Sequence, residues 1–180
     1  KKAGLGVRPM LVTGFLSGAL LAYATAFAFR TSNGLPEGPT ALISGLVFPV
    51  GFVMIVLLRL ELATGNFALL PMGVVRGQVT LAAMLRNWAW GYLGTFLGSV
   101  VVGGLLAVAL TEAFTEPAGA LGDRIVAVAR SKTLVYEHAG AAGWLTALVK
   151  GLLCNWMVTM GTVLGFSSMS LADIVWAMSK

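Results

Sequence analysis

Long runs without a charged side chain alternate with short polar stretches along the chain. Residues 9–29 and 38–58 are each 21 residues long and uncharged, and residues 87–111 form a run of 25. A fourth apolar run, 139–172, is interrupted only by Lys150. An α-helix rises ~1.5 Å per residue, so about 20 residues cross a hydrocarbon core of ~30 Å. The pattern predicts four transmembrane helices, at about 9–29, 39–58, 87–111 and 144–166.

The stretches between these runs have the composition of loops. Residues 31–36 are dense in turn-forming residues. Residues 112–137 hold four of the seven acidic residues, together with Pro117. We expect this second stretch to be the most water-facing part of the chain, with a short surface helix at about 123–132.

The sequence after the second run does not fit a continuous membrane helix. The apolar run 67–75 is too short to cross a bilayer and contains Pro71, and it follows Gly65 and Asn66. Glycine and asparagine tolerate backbone angles that end a helix. We therefore predict a second span that is broken at 61–67 and continues as a short half-helix at 67–75.

A helix break inside lipid has to face protein or a watery cavity, because each unsatisfied backbone group there costs several kcal/mol. Discontinuous helices are common at transport sites, where half-helix ends hold ions. A second interpretation fits the spacing equally well. In it, Arg59 marks the cytoplasmic end of the second span, and residues 67–75 form an amphipathic surface helix.

Composition places the chain in a membrane. Hydrophobic residues make up 58% of the sequence and charged residues 11%, whereas soluble domains carry roughly 25% charged residues. A soluble protein of this size could not cover its surface with so few charges. We predict a multi-pass integral protein of a plasma or inner membrane, with the lipid bilayer as its main partner.

The remaining chemistry excludes several classes of function. The net charge of +5 comes from basic residues that are scattered among apolar blocks, so we expect no nucleic-acid partner. The single cysteine, Cys154, and the single histidine, His138, exclude an internal disulfide and disfavour a His/Cys metal site. No Ser/His or acid pair at helical spacing supports an enzyme. We predict no catalytic residue, no metal and no cofactor.

The distribution of Lys and Arg orients the chain. A cytoplasmic N-terminus places six basic residues inside and four outside, which favours this orientation by the positive-inside rule. The inside set is Lys1, Lys2, Arg8, Arg76, Arg86 and Lys180, and the outside set is Arg30, Arg124, Arg130 and Lys132.

Three motifs carry a family resemblance. Residues 61–66, Glu-Leu-Ala-Thr-Gly-Asn, resemble the Glu-Leu-Phe-Thr-Gly-Asn stretch of the formate/nitrite transporter family. Asn87-Trp88 followed by Tyr92-Leu93-Gly94 resembles that family's third-helix pattern, and residues 151–158 resemble its fourth-helix signature. The chain departs from the family at Ala63, where Phe is usual, and at Arg59, where a small residue is usual.

The resemblance implies an architecture and an assembly. Family members have six helices in two inverted three-helix repeats, an aquaporin-like arrangement with broken second and fifth helices, and they form pentamers with one pore per protomer. The expected fold class is an all-α integral membrane bundle with a broken second helix and an incomplete second repeat. We expect the region after Ser167 to lead to helices five and six, which lie beyond Lys180 together with the family's pore histidine.

The resemblance also implies a site and a function. Thr64 is the first candidate pore residue, because a hydroxyl both donates and accepts hydrogen bonds. The full predicted pore set is Thr64, Leu62, Ala63, Gly65 and Asn66. Two residues are predicted to be structural and near the pore: Glu61, which would accept backbone N–H groups or pair with Arg59, and Asn155.

The predicted function is a channel or transporter for small monovalent anions of weak acids, in a homopentamer. Formate and nitrite are the expected substrates, with hydrosulfide as a third, and transport is expected to depend on pH. Two alternatives stay open: a truncated, non-conducting protomer with an assembly role, and an aquaporin-like pore for neutral solutes. The sequence contains no Asn-Pro-Ala motif, whereas aquaporins carry a pair of them, and this disfavours the second alternative.

Overall fold

The computed structural model describes residues 4–167, and this part of the chain is helical with connecting turns. Four of its segments are long and apolar enough to cross a membrane: Val7–Thr31, Glu37–Leu57, Leu81–Leu110 and Gly140–Leu164. The helices are α1 (Val7–Thr31), α2 (Glu37–Val47), α3 (Pro49–Leu57), α4 (Ala63–Val75), α5 (Leu81–Leu110), α6 (Gly119–Lys132), α7 (Leu134–Glu137) and α8 (Gly140–Ser167). The expected connection after Ser167 lies outside the described residues.

The second span consists of two helices in near-continuous succession. Phe48 separates α2 from α3 and keeps helical angles, with φ −55° and ψ −39°. Pro49 follows at the first position of α3, where its missing N–H removes one helical hydrogen bond. The true break comes after Leu57, and the short helix α4 follows it.

The best-packed part of the structure is the contact between α1 and α5. Five of the six buried residues on α1 are glycine, serine or alanine, and three of the six on α5 are glycine. A Cβ atom on Gly94 would lie 2.7 Å from the carbonyl oxygen of Leu11, and one on Gly14 would lie 2.9 Å from that of Gly91. Small residues thus let the two backbones touch, as is common between helices in lipid.

Two long-range contacts define the two ends of the bundle. The Arg86 guanidinium donates to the carbonyl oxygen of Leu5 at 3.2 Å, which places the start of α5 beside the N-terminus. At the other end, Arg124 on α6 donates to the carbonyl oxygen of Phe29 at 3.2 Å and lies over its ring. Helix α6 starts at Gly119, four residues before the predicted surface helix, because Gly119 supplies a positive φ of 65° at the turn.

Helix α8 has a different environment from the other spans. Its principal contacts are with α4 and with α7, the short helix that precedes it. Large apolar side chains along it, such as Trp144, Leu152 and Trp156, are exposed within the described residues. Helix α8 is therefore the least buried of the four candidate spans among the described residues.

Candidate functional site

The first half of the broken span ends in a hydrogen-bonded C-terminal turn. The N–H of Leu60 donates to the carbonyl oxygen of Ile55 at 3.0 Å, and the N–H of Arg59 donates to that of Val56 at 3.1 Å. This pair of bonds forms a Schellman motif, whose left-handed position glycine usually occupies. Arg59 occupies it here, with φ 54°. A left-handed angle costs a non-glycine residue roughly 1–2 kcal/mol.

Helix α4 begins earlier than the sequence predicted. Leu62 is its N-cap in an extended conformation, and α4 runs from Ala63. The N–H of Asn66 donates to the carbonyl oxygen of Leu62 at 3.0 Å and closes the first turn. The non-helical residues are thus 58–62, whereas the prediction was 61–67. Thr64, Gly65 and Asn66 lie on the first turn of α4.

A buried polar network ties this break to α5. The Asn66 side-chain amide donates to the Glu61 carboxylate at 2.6 Å and to the side-chain oxygen of Asn87 at 2.9 Å. The amide of Asn87 also approaches the same carboxylate oxygen, at 3.4 Å. All three side chains are at most 3% exposed. A buried carboxylate needs donors such as these, because leaving it unpaired is very costly.

This network identifies side-chain partners of Glu61 and Asn66. The Glu61 carboxylate accepts from the side-chain amides of Asn66 and Asn87, a kind of donor that the sequence analysis had not considered. The Asn66 amide is held by Glu61 and Asn87, so it does not compete for the backbone of its own helix, which explains why Asn66 does not interrupt α4. The third-span motif supplies Asn87, a partner that the sequence analysis had not identified.

Trp88 adds a second connection between α4 and α5. Its indole N–H donates to the carbonyl oxygen of Asn66 at 3.1 Å. Its ring packs edge-on against Phe67, with 5.0 Å between the ring centroids. Both residues of the Asn87-Trp88 pair therefore hold the first turn of α4. Asn87 binds the side chain of Asn66, and Trp88 binds its backbone carbonyl group.

Thr64 stands in contrast to this satisfied network. Its hydroxyl oxygen is buried and has no hydrogen-bond partner among the described residues. Other threonines in the spans donate to the carbonyl oxygen four residues earlier, as Thr25 and Thr95 do at 2.8 and 2.9 Å. Successive residues of a helix turn by about 100°, so Thr64 points roughly opposite to Asn66, away from the α5 side.

The first turn of α4 also presents backbone donors. The N–H groups of its first residues have no intrahelical acceptor, and Leu62 at the N-cap offers no side-chain hydrogen bond. A Cβ atom on Gly65 would meet nothing within 4 Å, so open space adjoins this turn. A hydroxyl and free N–H groups at a helix N-terminus can bind an anion.

Two further unpaired oxygens lie on α8. Asn155 Oδ1 and Thr159 Oγ1 are buried and have no partner among the described residues. The two residues are four apart and hence on one face of the helix. Helix α7 lies at the start of α8, and α4 is the other principal neighbour of α8. The sequence analysis had identified Asn155 but not Thr159.

The described residues offer no comparable cluster of other chemistry. Residues 4–167 contain no group of three or more His, Cys, Asp and Glu side chains that could hold a metal ion. Cys154 is exposed. The Lys150 ammonium lies 5.4 Å from the ring centroid of Tyr136, on the side of α8 near α7.

Comparisons with known proteins agree on one family. The family model described as formate/nitrite transporter matches residues 1–179. A probable formate transporter of Methanothermobacter thermautotrophicus is 32% identical over 98% of this chain and 67% of that protein. The formate channel FocA of Haemophilus influenzae is 36% identical over 92% of this chain and 57% of its own length.

Two solved structures have the same fold. A pentameric formate channel with formate bound superposes with a TM-score of 0.70 at 25% identity, over 96% of this chain and 65% of that one. An FNT family ion channel superposes with a TM-score of 0.74 at 21% identity, over 99% of this chain and 72% of that one. The chain thus spans about three-fifths to two-thirds of the length of several proteins that it matches.

Proposed function

This chain belongs to the formate/nitrite transporter family, and we propose that the full-length protein conducts small monovalent anions of weak acids across a membrane. Formate and nitrite are the proposed substrates, with hydrosulfide as a third. The apolar spans and the family together make it an integral membrane protein. We further propose that the pore runs between α4 and α8.

One observation carries this proposal: three buried polar oxygens that have no hydrogen-bond partner among residues 4–167 lie on two helices that contact each other. They belong to Thr64 on α4 and to Asn155 and Thr159 on α8. A buried polar group without a partner costs about 1–3 kcal/mol. A permeating solute or water would supply the missing hydrogen bonds, which makes this interface the best-supported route.

The proposed mechanism follows from the cost of desolvation. A bare anion in a narrow apolar pore loses its hydration, and this is far more expensive than moving a neutral acid. Basic residues at the ends of the bundle attract the anion, and the constriction favours its protonated form. The Thr64 hydroxyl can accept from the acid or donate to the anion, and the N–H groups of the first turn of α4 add further donors.

The assembly and orientation are part of the same proposal. We propose a homopentamer with one pore per protomer, which the similarity to a pentameric formate channel supports. We propose a cytoplasmic N-terminus, because the basic residues near it outnumber those at the opposite end. Arg8 and Arg86 lie at the N-terminal end of the bundle, and Arg30 and Arg124 lie at the other.

Flux of formate or nitrite into liposomes that contain the full-length protein tests this function. Flux should rise as the pH falls from 8 to 5, because a larger fraction of the substrate is then neutral. A folded, oligomeric protein without flux would instead favour an assembly role. Conduction of neutral solutes alone would favour an aquaporin-like pore.

A substitution at Thr64 tests the residue in the same assay. Thr64→Val keeps the shape and removes the hydroxyl, and a loss of about 1–3 kcal/mol in the transport barrier lowers flux about 5- to 150-fold. Thr64→Ser should be milder. Thr25→Val is a matched control, since the Thr25 hydroxyl bonds its own helix. Normal flux in a folded Thr64→Val protein would remove Thr64 from the mechanism.

A further inference from the structure

We propose that Thr159 is a further substrate-contacting residue of the pore, because its hydroxyl on α8 is buried and has no hydrogen-bond partner among residues 4–167. The hydroxyl would bind the permeating anion or its acid one helical turn beyond Asn155. This inference rests on the proposed function, because it adds a further substrate contact along the same pore.

The behaviour of neighbouring threonines distinguishes Thr159. On the same helix, Thr146 donates to the carbonyl oxygen of Ala142 at 2.8 Å, and Thr162 donates to that of Val158 at 2.9 Å. A hydroxyl in a membrane helix normally satisfies itself in this way. The hydroxyl of Thr159 forms no such bond with Asn155, four residues earlier, although it is buried. Its side chain is therefore turned away from its own helix.

The distribution of polar residues on α8 indicates which way the helix face that carries Thr159 points. In its second half, the half-buried face includes Asn155, Val158, Thr159 and Thr162. The large exposed side chains of the same stretch are apolar: Leu152, Leu153, Trp156, Met157 and Met160. In membrane proteins polar side chains face the bundle interior or a water-filled cavity. The face that carries Thr159 therefore points toward the interior of the bundle.

Thr159 would extend the polar path along the pore. Four residues of helix rise about 6 Å, so Asn155 and Thr159 provide hydrogen-bonding groups at two successive depths. A hydroxyl serves both forms of the substrate, because it donates to the anion and accepts from the acid. Packing alone would be served equally well by valine, which has nearly the same shape and leaves no buried polar atom unpaired.

Flux through the full-length protein in liposomes is the first test. Thr159→Val should lower formate flux at least about fivefold, as the loss of one hydrogen bond to the substrate predicts, and Thr159→Ser should restore most of it. Thr162→Val is the matched control and should conduct like the wild type. Equal losses at both positions, or normal flux in Thr159→Val, would overturn the inference.

Cysteine accessibility is the second test and does not depend on transport by the valine variant. In a cysteine-free background, made with Cys154→Ala and the replacement of any other cysteine in the full-length protein, Thr159→Cys should react with a small water-soluble thiol reagent. Formate should slow the reaction. An unreactive Thr159→Cys in a conducting protein would overturn the inference.

The two tests separate this inference from the proposed function. If the wild type conducts and Thr64→Val is impaired, while Thr159→Val is normal, the inference fails and the anion pore remains. If the folded wild type conducts no weak-acid anion, the proposed function fails and this inference fails with it.

Discussion

Replacement of Gly94 by alanine should separate the two best-packed helices. The added Cβ atom would lie 2.7 Å from the carbonyl oxygen of Leu11 and 3.1 Å from the backbone nitrogen of Phe15. Both are backbone atoms of α1, so no side-chain rotation can relieve the overlap. The contact is about 0.7 Å shorter than the ordinary limit near 3.4 Å. Overpacking of this kind costs about 1–3 kcal/mol, and the rigid neighbours favour the upper half of that range.

Thermal unfolding of the full-length protein in mild detergent measures this loss. With about 2–4 °C per kcal/mol for a chain of this size, Gly94→Ala should lower the midpoint by roughly 4–12 °C. Gly103→Ala is the matched control on α5, because a Cβ atom there would meet nothing within 4 Å. It should not lower the midpoint, since alanine is the better helix former. Equal midpoints for the two variants would refute a direct backbone contact between α1 and α5 at Gly94.

Two further predictions concern the helix break, and the same unfolding assay measures both. Glu61→Ala removes the acceptor at 2.6 Å from the Asn66 amide and should destabilise the protein by about 1–3 kcal/mol. Glu61→Gln keeps one acceptor and should lose less stability. Equal stability of the wild type and both variants would count against the network. Arg59→Gly places glycine at φ 54° and should stabilise the protein by about 1 kcal/mol. A lower unfolding midpoint would mean that contacts of the arginine side chain stabilise the protein by more than the left-handed backbone angle destabilises it.

The membrane spans could be read from the sequence because their signal is local. A run of more than 20 uncharged residues has few alternatives to a membrane helix. The bounds were less accurate where other forces set them. Helix α5 begins at Leu81, six residues before the predicted start, because the Thr80 hydroxyl caps it by accepting from the Ala83 N–H at 3.2 Å. Arg86 therefore lies inside the helix.

The details of the break could not be read in this way, because they depend on residues far apart in the chain. Gly65 and Asn66 indicate a helix end by local preference, but Asn87, on another helix, takes up the amide of Asn66. Thr159 was missed for a related reason. In the sequence, Thr159 and Thr162 are both threonines in the same apolar run. Only the structure shows that the Thr162 hydroxyl bonds its own helix and the Thr159 hydroxyl does not.

The break combines rigid support on one side with unused hydrogen-bonding capacity on the other. On the α5 side, Glu61 and Asn87 hold the side chain of Asn66, and Trp88 holds its carbonyl group. On the side that points away from α5, Thr64 has no partner among the described residues. A helix N-terminus that is left without a cap inside lipid would be unstable if it were not fixed in place. The buried network fixes it, so that Thr64 and the nearby N–H groups can serve the anion route that we propose.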